Sequence, residues 1–148
     1  MQAAEVDYGR VFLLCLQEGD TLPFCIEEFA QRENINTALV HFMGGLYNGH
    51  MVVGPHTTQP DLPQPVKIPV HEAHEATAFG VLACDEKGKP ILHIHGSIGR
   101  MGQAVCGCLR PGIDTWLTGE VIVQEIITDK AIRLPDAKSG FTLLNIKE

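Results

Sequence analysis

The chain has 148 residues, of which 45% are hydrophobic and 20% are charged, and its formal net charge is −7. This length is typical of one domain and is enough to bury a core without disulfide or metal staples. The 11 lysines and arginines are scattered along the chain, whereas nucleic-acid binding draws on clustered cations, so composition argues against autonomous DNA binding.

The N-terminal part predicts one strand followed by one helix. The apolar run RVFLLCLQ has strand length and is closed by Gly19-Asp20. After it, apolar residues recur at helical spacing between acidic and polar residues. This pattern predicts an amphipathic helix over 21–33 with Asp20 as its N-cap.

Strands and one long irregular segment are predicted for the rest of the chain. Strands are predicted over 37–43 and 47–53, with a break or a bend at Gly44-Gly45 between them. Five of the nine prolines fall in 54–70, which predicts an irregular segment, either bound to a partner or without a role. Further strands are predicted, in chain order, over 73–84 and 90–98 and in the segments AVCGC, TWLTGEVIVQEIIT, AIRLP and FTLLNI.

Together these elements predict a single α/β (α+β) domain over residues 1–148. About seven strands form a mixed, largely antiparallel sheet, because neighbouring strands are joined by hairpin-like turns. One main helix covers a face of this sheet. The helix or another subunit covers the face that would otherwise be free.

The segment HIHGS places two histidines on one side of a strand. Side chains at i and i+2 share a face and start about 6.5–7 Å apart, so His93 and His95 can converge on one ion. The candidates for a third ligand are Cys108, Cys106, His74, Glu75 and His71. Thiolate and imidazole together favour zinc over magnesium or calcium. The alternative is a pair of structural histidines hydrogen-bonded to a carboxylate such as Glu75 or Glu120.

Cys106 and Cys108 form a Cys-Gly-Cys segment. This segment lacks the two-residue spacing of a redox pair and is poorly placed for an internal disulfide. Two interpretations remain, one metal ligand beside a packed thiol or two reduced and buried thiols.

The chain resembles the plants and prokaryotes conserved (PPC) domain family, which in plants is attached to AT-hook motifs. The resemblance covers about residues 8 to 146, and HIHGSIG after a Gly-Lys-Pro turn is its most specific part. It implies a single α/β domain and a homotrimer with the histidine region near subunit contacts. Some prokaryotic members bind zinc through the two strand histidines and a third histidine in Gly-Gly-His-Leu. Here Cys106-Gly107-Cys108-Leu109 matches that segment, which implies His93, His95 and Cys108 as ligands.

Three functions follow from the residues and the resemblance. The first is a homotrimeric interaction or regulatory module with a metal site. The second is a zinc-dependent enzyme on a small-molecule substrate, with Glu75 or His74 as general base beside three ligands and an open position. The third is DNA binding, which rests on the resemblance alone, since the chain lacks an Arg-Gly-Arg-Pro hook.

The surroundings of the protein are also predicted from the sequence. No run approaches the roughly 20 consecutive apolar residues of a membrane helix, so no membrane partner is expected. The N-terminus has neither the basic region nor the apolar region of a secretory signal. We therefore expect a cytoplasmic protein whose main partner is another copy of itself.

Overall fold

The computed structural model describes residues 1–57 and 63–147, and over this part it is a mostly antiparallel sheet with one helix. The helix is α1 (Phe24–Arg32). The strands are β1 (Asp7–Gln17), β2 (Thr21–Leu22), β3 (Thr37–Pro55), β4 (Pro65–Val70), β5 (His74–Cys84), β6 (Pro90–Arg100), β7 (Gln103–Cys108), β8 (Ile113–Ile127), β9 (Ala131–Pro135) and β10 (Thr142–Ile146). The predicted α+β class with one covering helix is therefore confirmed.

The long strand β3 organises the main sheet, whose strand order is β1-β8-β3-β5-β6-β7. The first part of β3 lies between β5 and β8, so that Ala38 faces Leu82 on one side and Glu125 on the other. The last part of β3 pairs with β4 and also reaches β7, where Val52 faces Cys108. The sheet consequently closes on itself, while β9 and β10 form a separate hairpin.

The core lies on the sheet face that α1 covers. Residues along β5 and β6 alternate between buried and more exposed, as expected of strands with one buried face. Leu92 and Ile94 of β6 are at most 1% exposed, and Ile26 and Ala30 of α1 are fully buried. Burying such an aliphatic side chain contributes about 1.5–3 kcal/mol, so this contact fixes the helix on the sheet.

The opposite face of the sheet carries apolar side chains that remain exposed. One row of paired residues runs across all six strands of the main sheet: Leu13, Ile122, His41, Phe79, His95 and Cys108. Val11 and Met43 lie beside this row and are also exposed. We call the surface formed by Val11, Leu13, Met43, Phe79 and Ile122 the open face.

The helix begins later than the sequence predicts. Thr21 and Leu22 pair with β8 instead of forming the first helical turn, and Pro23 occupies the N-cap position without a side-chain cap. The Asp20 carboxylate accepts a hydrogen bond from the backbone N–H of Gln17 at 2.8 Å. Asp20 therefore closes the turn after β1 and does not cap the helix, so that part of the prediction was wrong.

The sequence predicts a break or a bend at Gly44-Gly45, and the structure shows an irregularity within one strand instead of a break. Gly44 and Gly45 lie within one continuous strand, and the pairing with β8 shifts register between them. A Cβ atom at Gly44 would lie 2.5 Å from the carbonyl oxygen of Thr118. These glycines thus allow β8 to approach β3 closely.

Ten strands are present in the described residues, where about seven were predicted. The predicted irregular segment 54–70 contains β4, which pairs with β3, and its residues 58–62 lie outside the described part. Within residues 1–57 and 63–147, no helix has the length and apolar character needed to cross a bilayer.

A buried carboxylate joins β8 to β1. Glu125 accepts hydrogen bonds from the Arg10 side chain at 2.7 and 2.8 Å and from the Arg10 backbone N–H at 3.1 Å. These bonds, chiefly those of the side chain, lower the pKa of Glu125. The carboxylate therefore stays ionised at lower pH than an ordinary glutamate does.

Replacing this carboxylate should have a pH-dependent effect on stability. We expect Glu125→Gln to lower the free energy of unfolding at pH 7, because the ionised form is preferentially stabilised by Arg10. The difference from wild type should shrink as the pH falls below the ordinary glutamate pKa of 4.5 and through the lowered pKa of the folded state. Urea denaturation between pH 3 and 7 measures it, with exposed Glu120→Gln on the same strand as the control. A difference independent of pH would contradict the expectation.

Candidate metal centre

A tight hairpin places β7 beside β6. Met101 and Gly102 form the turn with positive φ angles of 52° and 77°. The chain returns so that Cys108 lies directly opposite His95 and Gly107 opposite Gly96. In an antiparallel pair, directly opposite side chains share a face. The hairpin therefore brings Cys108 to the face that carries both histidines.

The three side chains converge at one end of the row described above. The Nε2 atoms of His93 and His95 are 3.0 Å apart, and their rings meet edge to face at a centroid distance of 4.8 Å. One donor atom from each of His93, His95 and Cys108 lies within 4.8 Å of the other two. Cys108 is buried, His93 is half-buried and His95 is exposed, so the cluster is closed on one side and open on the other.

Backbone contacts on both sides hold Cys108 in place. Besides facing His95, it faces Val52 of β3. A Cβ atom at Gly107 would lie 2.5 Å from the carbonyl oxygen of Val52, so only glycine allows this approach without a shift. Immediately after Cys108, the backbone N–H of Leu109 donates to the carbonyl of Ile94 at 3.1 Å.

The surroundings keep His93 neutral. Burial lowers its pKa to about 4, and the positive charges of Arg110, His95 and Arg133 act in the same direction. A metal ion binds neutral imidazole, so a histidine that resists protonation is a suitable ligand over a wide pH range. The same surroundings work against a structural role in which His93 is protonated and paired with a carboxylate.

The donor set fits zinc. Zinc in proteins prefers four ligands in a tetrahedral arrangement, at about 2.0–2.1 Å for imidazole nitrogen and 2.3 Å for thiolate sulfur. Two nitrogens on such an ion are separated by about 3.4 Å, and the histidine nitrogens here are 3.0 Å apart. Three protein donors would leave a fourth position of the ion for an exchangeable ligand. A metal ion with such a position polarises a bound oxygen.

The other predicted ligands lie away from the cluster. Cys106 is exposed, faces Ser97 and lies two pairs nearer the turn of the hairpin than Cys108. Glu75 faces Gly99, four residues along β5 from Phe79, which is opposite His95. Four residues of a strand span about 13 Å, so Glu75 is not adjacent to the histidines.

The remaining candidates also lie outside the cluster. The side chain of His74 projects on the opposite side of β5 from Glu75, and its Nδ1 contacts the carbonyl of Glu72. His71 is exposed and lies before β5. The alternative carboxylate Glu120 is on β8 and faces Met43. The general base roles proposed for Glu75 and His74 therefore have no support from the geometry.

Sequence reasoning did not single out the two arginines near His93. Arg133 lies in β9 and its side chain is buried, with Nη2 donating to the carbonyl of Val81 at 2.8 Å. Val81 is directly opposite His93. The only signal in the sequence was a charged residue within the apolar run AIRLP, which predicts a buried cation without indicating its neighbours.

Comparison with known proteins agrees with the fold. The model of the Plants and Prokaryotes Conserved (PCC) domain matches residues 3–127. A plant- and prokaryote-conserved (PPC) protein from Pyrococcus horikoshii is 25% identical over 100% of this chain and 97% of its own, with a TM-score of 0.82. A metal-containing protein from Archaeoglobus fulgidus is 27% identical over 97% of this chain and 98% of its own, with a TM-score of 0.81. No curated protein matches the chain.

Crowding at Gly107 gives a test of how Cys108 is positioned. We expect Gly107→Ala to lower the free energy of unfolding by about 1–3 kcal/mol, because the new methyl group pushes β7 away from the Val52 carbonyl. Gly99→Ala is the matched control, since a Cβ there meets its nearest neighbour at an ordinary 3.5 Å. Urea denaturation of metal-free protein measures both variants. Equal stability of the two variants would contradict the proposed close contact.

Proposed function

The chain belongs to the Plants and Prokaryotes Conserved domain family, and we propose that it is a homotrimeric module that binds a zinc ion through His93, His95 and Cys108. The observation that carries this proposal is the convergence of the three donor atoms within 4.8 Å of one another. Convergence of two imidazoles and a thiol on an antiparallel hairpin is what a three-ligand zinc site requires.

Several properties of the cluster support zinc over other ions. A thiolate and two imidazoles select zinc against magnesium and calcium, which prefer oxygen ligands. The low pKa of His93 keeps one ligand ready for binding at neutral pH. The metal-containing relative from Archaeoglobus fulgidus shares the fold, so a metal site is compatible with this architecture.

The open face supports association with other copies of the chain. Leu13 is 77% exposed, Met43 60% and Phe79 50%, and all three lie on the same side of the main sheet. A sheet face of this kind is normally covered by a helix or by a partner. A closed cyclic assembly of three copies covers the face in each of them, and the resemblance to the family favours this number.

The position of the metal cluster connects it to the proposed assembly. His95 and Cys108 continue the row that begins with Leu13 and passes through Phe79. A subunit that covers the open face therefore lies beside the cluster. This arrangement suits a module in which metal binding and association influence each other, which is the regulatory role we propose.

A zinc-dependent enzyme is the second candidate. It is favoured by the exposed side of His95, which leaves room for a fourth, exchangeable ligand.

DNA binding is the least supported role. Three copies carry a charge of −21 at −7 each, and long-range repulsion from phosphates opposes binding.

Zinc retention tests the metal proposal. After zinc loading and dialysis at pH 7.5, we expect about one ion per wild-type chain and a loss of most of it in His93→Ala and Cys108→Ala, because two remaining ligands bind zinc weakly. Cys106→Ala is the control, since this exposed thiol lies outside the cluster. Elemental analysis measures the ratio. Equal retention in all four proteins, or none in wild type, would overturn the metal site.

The mass in solution tests the assembly. Wild type at micromolar concentration should have about three times the chain mass of 16.2 kDa. Leu13→Glu should shift the mass toward that of one chain, because it places a charge in the proposed interface. Met101→Glu is the control, since Met101 is equally exposed but lies in the β6–β7 turn. Light scattering measures the masses, and a monomeric wild type would refute the trimer.

A further inference from the structure

Arg133 is a buried cation whose hydrogen bonds are incomplete. It is 3% exposed, and its Nη2 donates to the Val81 carbonyl at 2.8 Å. Its Nε is buried and has no hydrogen-bond partner among the described residues. An unpaired buried donor costs about 1–3 kcal/mol, and more when it belongs to a charged group. Such a group is rarely maintained without a partner of opposite charge.

A second arginine lies close in sequence to the metal cluster. Arg110 follows Cys108 by two residues, and its guanidinium stacks over the ring of Phe141 at 5.7 Å. Phe141 lies between β9 and β10, so one hairpin carries Arg133 and orients Arg110. Arg133 donates to the carbonyl of Val81, which lies directly opposite His93 in the pairing of β5 with β6, so the two arginines approach the cluster from Cys108 and from His93.

The carboxylate that acts on Arg133 offsets only part of the charge of the two arginines. Glu27 is the carboxylate that acts electrostatically on Arg133, and its Oε1 already accepts the backbone N–H of Leu92 at 2.8 Å. Two arginines and one glutamate leave a charge of +1 beside the cluster. A divalent ion with the Cys108 thiolate adds another +1. This local excess contrasts with a chain whose net charge is −7.

We propose that Arg110 and Arg133, together with the metal position at His93, His95 and Cys108, form a binding site for a small oxyanion, either a carboxylate or a phosphate. Arginine presents planar donors that match the oxygens of such groups, and charge-assisted hydrogen bonds of this kind are stronger than neutral ones. The metal half of this inference rests on the proposed zinc site, whereas the arginine half does not. The oxyanion is the exchangeable ligand that the exposed side of the cluster would admit.

The test titrates inorganic phosphate, and separately acetate, into the full chain by calorimetry at constant ionic strength set with chloride. Zinc-loaded, dialysed protein and metal-free protein are compared, and zinc per chain is counted in every sample. The variants are Arg110→Ala and Arg133→Lys, the second of which keeps the charge but removes the planar fork. Arg32→Ala is the matched control, because Arg32 also stacks on a phenylalanine, Phe29, at 5.3 Å, but lies on α1.

We expect wild type to bind at least one of the two anions and Arg110→Ala to bind it about tenfold or more weakly, which corresponds to the loss of one charge-assisted hydrogen bond. Arg133→Lys should also weaken binding, and Arg32→Ala should not change it. Preference for phosphate or for acetate identifies the class of oxyanion. If Arg133→Lys does not fold, Arg110→Ala alone decides the question.

Two results would overturn the inference: no anion binding by wild type in either metal state, or equal affinity in wild type and Arg110→Ala. Failure of the zinc proposal is recognised separately. If wild type retains no zinc but binds the anion with dependence on Arg110, the metal site is wrong and the arginine site stands. If zinc is retained and anion affinity is independent of Arg110, the metal site stands and the arginine site is wrong.

Discussion

At Gly107 the backbone of β7 lies against the Val52 carbonyl of β3 with no space for a side chain between them. This contact ties the last strand of the path β1-β8-β3-β5-β6-β7 back to its central strand. Closure of this kind removes a free edge and fixes the register of β7 against β6. Since Cys108 is the next residue, the geometry of the whole donor cluster depends on the same contact.

The two faces of the sheet serve different purposes. One face packs on α1 and forms a core of aliphatic side chains such as Leu82 and Ile94. The other face carries the row from Leu13 to Cys108, which contains apolar residues and His41 and ends in the imidazole of His95 and the thiol of Cys108. Period-2 alternation along each strand is sufficient to separate these two surfaces. The donor cluster and the exposed apolar residues of the open face thus lie on the same face of the sheet.

The local features of this protein were predictable from the sequence, whereas its long-range features were not. Alternation and turn residues identified β5, β6 and the hairpin turn at Gly88, and strand periodicity placed His93 and His95 on one side. The start of α1 and the continuity of β3 were missed, because pairing with β8 overrides local propensity at Leu22 and at Gly44. The neighbours of Arg133 could not be predicted, since they depend on how the β9–β10 hairpin packs on distant strands.

All three donors of the cluster lie within the 16 residues from His93 to Cys108, in a single hairpin. Contacts this close in sequence close a short loop and form in microseconds, well before the pairing of β1 with β8 across more than 100 residues. An ion can therefore associate with the chain while most of the sheet is still unfolded. An ion that also binds the unfolded chain raises the free energy of unfolding less than an ion that binds only the folded state. An ion bound at the proposed site would therefore help to set the register of β6 and β7 early in folding and would add less to the stability of the folded state.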